Sequence, residues 1–198
     1  MIKKDKTKKL ALIGYGGHAR EVMMQMETRL PCFVGDEFYV AGENFPLSKF
    51  DPNKYSVIVA IGDSKDRCSM VKKLPATTSF FTFIHPTSII GNDVVVGEGS
   101  FIGAYTIVTS NVTIGTHAIL NRGNHIGHDT QIGNYFSMMP GSIVSGNVNI
   151  ENSVYVGTSS SIREKINICD DVIIGLNTGV ISNIVEKGVY IGTPAKKK

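Results

Sequence analysis

Residues 101–133 read FIGAYTIVTSNVTIGTHAILNRGNHIGHDTQIG, and every sixth residue from Ile102 is aliphatic: Ile102, Val108, Ile114, Leu120, Ile126 and Ile132. Outward from this stretch the column runs back through Val96 and Ile90 to Ile84. It runs forward through Met138, Val144, Ile150, Val156, Ile162, Ile168 and Ile174 to Val180, without insertion or deletion. The next residue is often glycine (Gly91, Gly97, Gly103, Gly115, Gly127, Gly133, Gly157, Gly175), and the fourth is mostly small or β-branched, with Asn124 and Phe136 as departures. A period of six matches neither a helix face nor an alternating strand. It matches a solenoid with three flat sides per turn, the long aliphatic on the axis and the small residue near each corner. Residues 84–180 then form about five coils. The glycines are expected to serve the tight corners, and stability to come from coil stacking on coil.

The rest of the chain reads differently. Leu10–Ile13, Cys32–Val34 and Tyr55–Ile61 are short apolar strands, and His18–Met26 and Lys65–Leu74 read as helices, the second stopped by Pro75. Phe80–Ile84 leads into the first coil. The alternation predicts a small parallel sheet of Rossmann-like topology over residues 9–83, ahead of a solenoid over 84–195. Ligands of such sheets sit at the C-terminal strand ends. Here those ends carry Gly16, Gly17 and His18, then Asp36 and Glu37, then Gly62, Asp63 and Ser64. Gly14-x-Gly16-Gly17 between strand and helix lets backbone approach a phosphate, although a tight turn alone would also explain the glycines.

Composition narrows the function. Of 198 residues 42% are hydrophobic and 19% charged, which suits a packed core. The net charge of +3 is concentrated in the Lys-rich ends, residues 1–9 and 196–198. The body between them is acidic, so no nucleic-acid groove is expected, and the N-terminal lysines read as a solvated, frayed tail. Three dispersed cysteines, Cys32, Cys68 and Cys169, form no zinc or redox motif and suit a reducing cytoplasmic compartment. No apolar run is long enough to span a membrane or to form a signal-peptide core.

The hexapeptide column, together with the ending Gly192-Thr193-Pro194-Ala195-Lys196, resembles the hexapeptide acyltransferase superfamily. With Gly14-Tyr15-Gly16-Gly17-His18 in front, nearly the whole chain resembles the sialic acid O-acetyltransferase and nucleotide-sugar N-acetyltransferase family, UDP-4-amino-sugar and GDP-perosamine types. The resemblance implies a left-handed parallel β-helix, a homotrimer, and coenzyme A bound along the groove between neighbouring helices. It implies acetyl transfer from acetyl-CoA to the amine of a nucleotide-linked 4-amino-4,6-dideoxy sugar, with no metal. Gly16, Gly17, His18, Asp36, Gly62 and Ser64 match nucleotide-sugar positions, Asp36 for the base or ribose. Asn121, His128 and Asp129 match the catalytic segment, and Gly146 the oxyanion donor. Gly157, Thr158 and Leu176 match coenzyme A contacts. Ser137 stands where the family has a coenzyme A-contacting histidine, and Gly127 where it often has an acid.

The chemistry agrees with that pattern. An amine attacking a thioester must lose a proton, and histidine is the natural base near neutrality. His128 lies two residues past inward Ile126 and should point outward. Asp129 need not touch it, because successive strand side chains diverge, unless a corner or a neighbouring subunit intervenes. His117 and His125 read as exposed polar residues on coil faces. Three readings compete. A γ-class carbonic anhydrase would bind zinc through three interface histidines. A sugar O-acetyltransferase would use the same base on a hydroxyl. A non-catalytic sugar-nucleotide-binding protein would not need the Asn121, His128 and Asp129 set.

Overall fold

The computed structural model describes residues 2–3 and 7–198. Strands β2 (Lys9–Ile13), β3 (Cys32–Val34), β4 (Phe45–Pro46), β5 (Tyr55–Val59) and β6 (Ser79–Phe80) form a parallel sheet in the order β4-β3-β2-β5-β6. Helix α1 (Gly17–Gln25) follows β2, and α2 (Ser64–Lys73) follows β5. Asp63 caps α2 by accepting from the N–H groups of Lys65 and Asp66, which satisfies two of the donors a helix start leaves open.

Seventeen strands then run from β7 (Thr82–Ile84) to β23 (Gly179–Val180), one for each aliphatic of the six-residue column. They stack in parallel as three faces of six, six and five strands, with partners eighteen residues apart, as in Ile102↔Leu120, Val108↔Ile126 and Ile114↔Ile132. The solenoid is a left-handed parallel β-helix. The first face carries Ile84 through Ile174, the second Ile90 through Val180, the third Val96 through Ile168. Their inward side chains form one core with the small residues near the corners. Burial at about 1.5–3 kcal/mol per aliphatic gives this column tens of kcal/mol gross, offset by chain entropy of similar size. Both departures from the small-residue position fit. Phe136 is buried, and Asn124 donates to the carbonyls of Asn121 and Met138 and accepts from Ser142 N–H.

The glycines have a different cause from the one expected. From Ile90 to Ile174 the left-handed corner conformation falls three residues after each aliphatic, mostly on non-glycine residues such as Asn111 (φ 54°), Asp129 (φ 57°) and Asn147 (φ 58°). The glycines immediately after the aliphatic are needed by the coil above. A Cβ on Gly97 would lie 2.6 Å from backbone atoms of Gly115 and Thr116.

The two ends are also more ordered than a solvated tail. β1 (Ile2–Lys3) pairs antiparallel with β7, while Lys4, Asp5 and Lys6 of the expected tail lie outside the described residues. At the other end β24 (Gly188–Ile191) adds in parallel to the first face beside Val172–Ile174. β25 (Lys196–Lys197) folds back on β24 and covers the last coil, as solenoid ends require.

The first face explains how the sheet is seated. Its outward residues Phe83, Phe101 and Ile119 are buried in one cluster with Leu12, Ala19, Val22 and Ile58. Beside them lies Arg67 of α2, 1% exposed and without a carboxylate partner among the described residues. It donates instead to the carbonyls of Ile61, Gly62, His117, Tyr135 and Phe136 and to Ser137 Oγ. A planar guanidinium has five donors, so these acceptors share hydrogens, with Nη1 reaching Ile61 and Gly62 and Nη2 reaching Tyr135, Phe136 and Ser137.

Candidate functional site

The corner between the second and third faces holds His128, Asp129 and Gly146. Asp129 occupies the left-handed corner position, and that turn brings two sequence neighbours together: His128 Nδ1 lies 2.7 Å from Asp129 Oδ2. Asn111, eighteen residues earlier in the stack, donates to Asp129 Oδ1 at 2.7 Å. These two hydrogen bonds, Asn111's the larger influence, hold the Asp129 carboxyl below its ordinary pKa. A carboxylate accepting at Nδ1 calls for a proton on that nitrogen, which turns the Nε2 lone pair outward as an acceptor. His128 is 59% exposed, as its outward position predicts.

Gly146 stacks on the same ring, where a Cβ would sit 2.8 Å from His128 Nε2. Its N–H makes no hydrogen bond among the described residues. Some equivalent corner N–H groups are capped by side chains, as with Ala104 by Gln25, Thr116 by Asn134, Asn134 by Asn152 and Asn152 by Asp170, whereas those of His128, Thr158 and Leu176 are open like that of Gly146 among the described residues. A free donor beside a base is what a developing oxyanion needs. Gly127 keeps it free, since a Cβ there would lie 2.5 Å from Gly146 N. That contact accounts for glycine where an acid was expected by resemblance.

Asn121 is not at this corner. It lies on the corner between the first and second faces, buried against α1, where its Nδ2 donates to Glu21 Oε2 at 3.1 Å. Glu21 Oε1 accepts from Arg122 Nη1 at 2.9 Å, and Glu21 Oε2 is 3.7 Å from His18 Nδ1. His18 itself packs edge-on to Phe101, with Nε2 buried and unpartnered. Further along the same corner are Gly157, Thr158 and Leu176. Thr158 is exposed, the Leu176 side chain is 77% exposed, and neither residue's N–H bonds another described residue. Open backbone donors beside an apolar side chain suit the pantetheine arm of coenzyme A. Ser137 does not share that surface. It is fully buried, accepts from Arg67 and donates to Gly62 O, so no side chain there can take the place of the expected histidine contact.

The strand ends of the N-terminal sheet open on a cavity of about 790 Å³ lined by Gly14, Tyr15, Gly16, Glu37, Tyr39 and Met70 among others. Of the six residues matched by resemblance to nucleotide-sugar positions only Gly16 lines it, joined by the strand-end residue Glu37. Asp36 points away, beside Leu47 and Ser48, because a 3₁₀ turn over Asp36–Phe38 delivers Glu37 to the cavity instead. Gly62 and Ser64 face a separate cavity of about 440 Å³ against Met139, Tyr155 and Ile173. The buried Ser64 hydroxyl contacts Ser137 Oγ at 3.2 Å. Gly17 opens α1, so its backbone serves the helix start.

His117 also departs from expectation. It is buried, stacked on Tyr135 and edge-on to Phe80. Burial, then the Arg67 charge, push its pKa down to about 4. His125 is exposed on the second face. Among the described residues no group of three His, Cys, Asp or Glu side chains is placed to hold a metal ion.

Glu21, Asn111 and Arg67 carry the geometry but escaped the sequence reading. Asn111 could have been found from the eighteen-residue ladder below Asp129, and Glu21 from its place one helical turn after His18. Arg67 carried no signal.

Left-handed β-helix with a Rossmann-like sheet in front defines the class: the chain is a two-part hexapeptide-repeat protein. Its front part is similar to the PglD N-terminal domain, whose family model matches residues 9–74. UDP-N-acetylbacillosamine N-acetyltransferase of Bacillus subtilis (strain 168) is 29% identical over 113 residues, 49% of this chain and 52% of that one. The match thus spans about half the length of that relative. Among solved structures, a mutant of perosamine N-acetyltransferase from Caulobacter crescentus with CoA and GDP-perosamine is similar at 24% identity. It has a TM-score of 0.85 over 99% of both chains. WeeI from Acinetobacter baumannii AYE is similar at 23% identity, with a TM-score of 0.85 over 97% of this chain and 100% of that one. These likenesses establish the fold.

Proposed function

We propose that the protein transfers the acetyl group of acetyl-CoA to the amine of a nucleotide-linked 4-amino-4,6-dideoxy sugar. The observation that carries this reading is the corner that joins an oriented base, His128 with Asp129, to an uncapped donor, Gly146 N–H. His128 Nε2 takes the proton that the attacking nitrogen must lose, and Asp129 stabilises the imidazolium that results. Gly146 N–H receives the negative charge that develops on the acyl oxygen; as the tetrahedral species collapses the C–S bond breaks, and the imidazolium of His128 returns its proton to the departing thiolate, which leaves as coenzyme A thiol. Acetyl-CoA supplies the activated acyl group, with Gly157, Thr158 and Leu176 along its path. The nucleotide occupies the sheet-end cavity, with Gly16 near phosphate and Glu37 in the role expected of Asp36. The relatives named as N-acetyltransferases of nucleotide sugars support this choice of acceptor.

The working unit is a homotrimer in this reading. Ile89, Ile107 and Ile143 form one outward column on the second face, in register with His125, and Ile89 and Ile143 are exposed. A threefold axis along that face covers the column. It also sets the Asn121 corner of one chain against the His128 corner of the next, which reunites the separated site residues. The free thiols of Cys32, Cys68 and Cys169 and the need for acetyl-CoA support a cytoplasmic location in this reading. No helix among the described residues is long and apolar enough to cross a membrane. Thiol release from acetyl-CoA, followed with UDP-, dTDP- and GDP-linked 4-amino sugars, tests the reading and names the nucleotide. No release with any of them would reject it.

A further inference from the structure

Helix α1 meets the β-helix with a polar face. His18, Glu21 and Gln25 follow one another at helical spacing and all turn toward the first corner. Gln25 Oε1 accepts from Ala104 N–H at 2.7 Å. One coil further on, Glu21 receives Asn121 Nδ2 and Arg122 Nη1 on its two oxygens and has His18 Nδ1 at 3.7 Å. An apolar helix face would have sealed this junction at less cost, because buried polar groups stabilise only when their partners are in place.

We infer that Glu21 is a positioning residue for the acetyl transfer, one that fixes the side-chain amide of Asn121. The inference rests on the function proposed above. Asn121 Oδ1 already accepts from Arg122 N–H at 2.8 Å and faces Arg122 Nη1 at 3.4 Å. The amide plane is thereby set with oxygen toward Arg122 and nitrogen toward Glu21. One Nδ2 hydrogen goes to Glu21, and the second remains as a donor of fixed direction for a substrate oxygen. Only an ionised carboxylate suits the hub, because it accepts at both oxygens, whereas a glutamine would turn its own NH₂ toward one of the two donors. The same carboxylate stands 3.7 Å from His18 Nδ1, a contact too long for a hydrogen bond. The nearby His18 ring, with the hydrogen bonds from Asn121 and Arg122, holds the Glu21 pKa down to about 2 against the opposing effect of burial.

The test compares Glu21→Gln, Asn121→Ala and the double variant in two measurements. In steady-state kinetics Glu21→Gln is expected to lower kcat/KM for the nucleotide sugar by about 10-fold, a charged hydrogen bond's share, with KM for acetyl-CoA within about twofold of wild type. The double variant is expected to be no slower than Asn121→Ala, since removing the amide removes what Glu21 positions. Losses that multiply, or a Glu21→Gln rate like wild type, overturn the inference. The second measurement needs no turnover. The Asn121 side-chain amide signal in ¹⁵N NMR, assigned by its loss in Asn121→Ala, is expected to shift and broaden in Glu21→Gln. An unchanged signal overturns the inference even if no acceptor sugar is found. Wild-type protein that fails with every amino sugar while this signal responds would reject the proposed function and leave the positioning intact.

Discussion

His128 Nδ1 and Asp129 Oδ2 are 2.7 Å apart although the residues are adjacent in sequence. On a strand their side chains would diverge. The left-handed backbone of Asp129 turns them to the same side, and Asn111 from the coil before holds the second carboxylate oxygen. Asp129→Asn is therefore expected to keep the fold but favour the wrong tautomer, since the amide can present NH₂ to Nδ1. A fall in kcat of about 10²-fold is expected, with little change in Tm. Activity within twofold of wild type would deny Asp129 its orienting role.

Gly146→Ala tests the oxyanion corner. The added Cβ would lie 2.8 Å from His128 Nε2, so the ring must move off the base position. The backbone N–H is retained, so the expected fall in kcat is that of a displaced general base, about 10²–10⁴-fold, while binding of the nucleotide sugar by calorimetry stays near wild type.

Acid should weaken the fold through His117. Its folded pKa, about 4, lies below the ordinary histidine value of 6.5. Between those two pH values the unfolded chain binds the extra proton, so stability falls as pH drops from 6.5 toward 4 and then levels. The loss is on the order of 3 kcal/mol. His117→Phe, which keeps an aromatic ring in the stack with Tyr135, is expected to flatten the Tm–pH slope over that window.

Arg67→Met should loosen the seating of the sheet on the β-helix. The side chain is shorter in donors by all of them, and the carbonyls of Ile61, His117 and Tyr135 lose their partner. A loss of about 3–5 kcal/mol is expected from denaturant unfolding. Arg67→Lys should recover only part of it, because one ammonium cannot span carbonyls on both sides of the junction.

The coil architecture was legible because one aliphatic per six residues is a packing rule repeated seventeen times, and each repeat became one strand. The reason for the glycines was not legible. Corner strain and coil-to-coil contact both call for glycine, and only coordinates separate Gly97, pressed against Gly115, from the left-handed Asp129. His128 with Asp129 and Gly146 were brought together as expected. Asp36 was exchanged for Glu37 by a single 3₁₀ turn, a shift below what strand reading can place. Ser137 and His117 were misplaced for a shared reason. A sheet seated on the first face buries positions that a bare solenoid would expose, and Arg67, which organises that junction, has no motif.

The trimer can be tested on the second face. Ile143→Asp alters a side chain that is already exposed in the single chain, so folding should survive. Sedimentation is expected to show a trimer for wild type and a monomer for the variant, with activity lost in parallel. A variant that remains trimeric would place the axis elsewhere.

The most direct measurement is the rate of thiol release from acetyl-CoA with the accepted nucleotide-linked amino sugar, wild type against His128→Ala. A drop of about 10²-fold or more, in a variant that keeps its Tm and still binds the sugar nucleotide, is expected if His128 Nε2 takes the proton. Turnover that survives the substitution would contradict the central claim and leave the amine to lose its proton unaided.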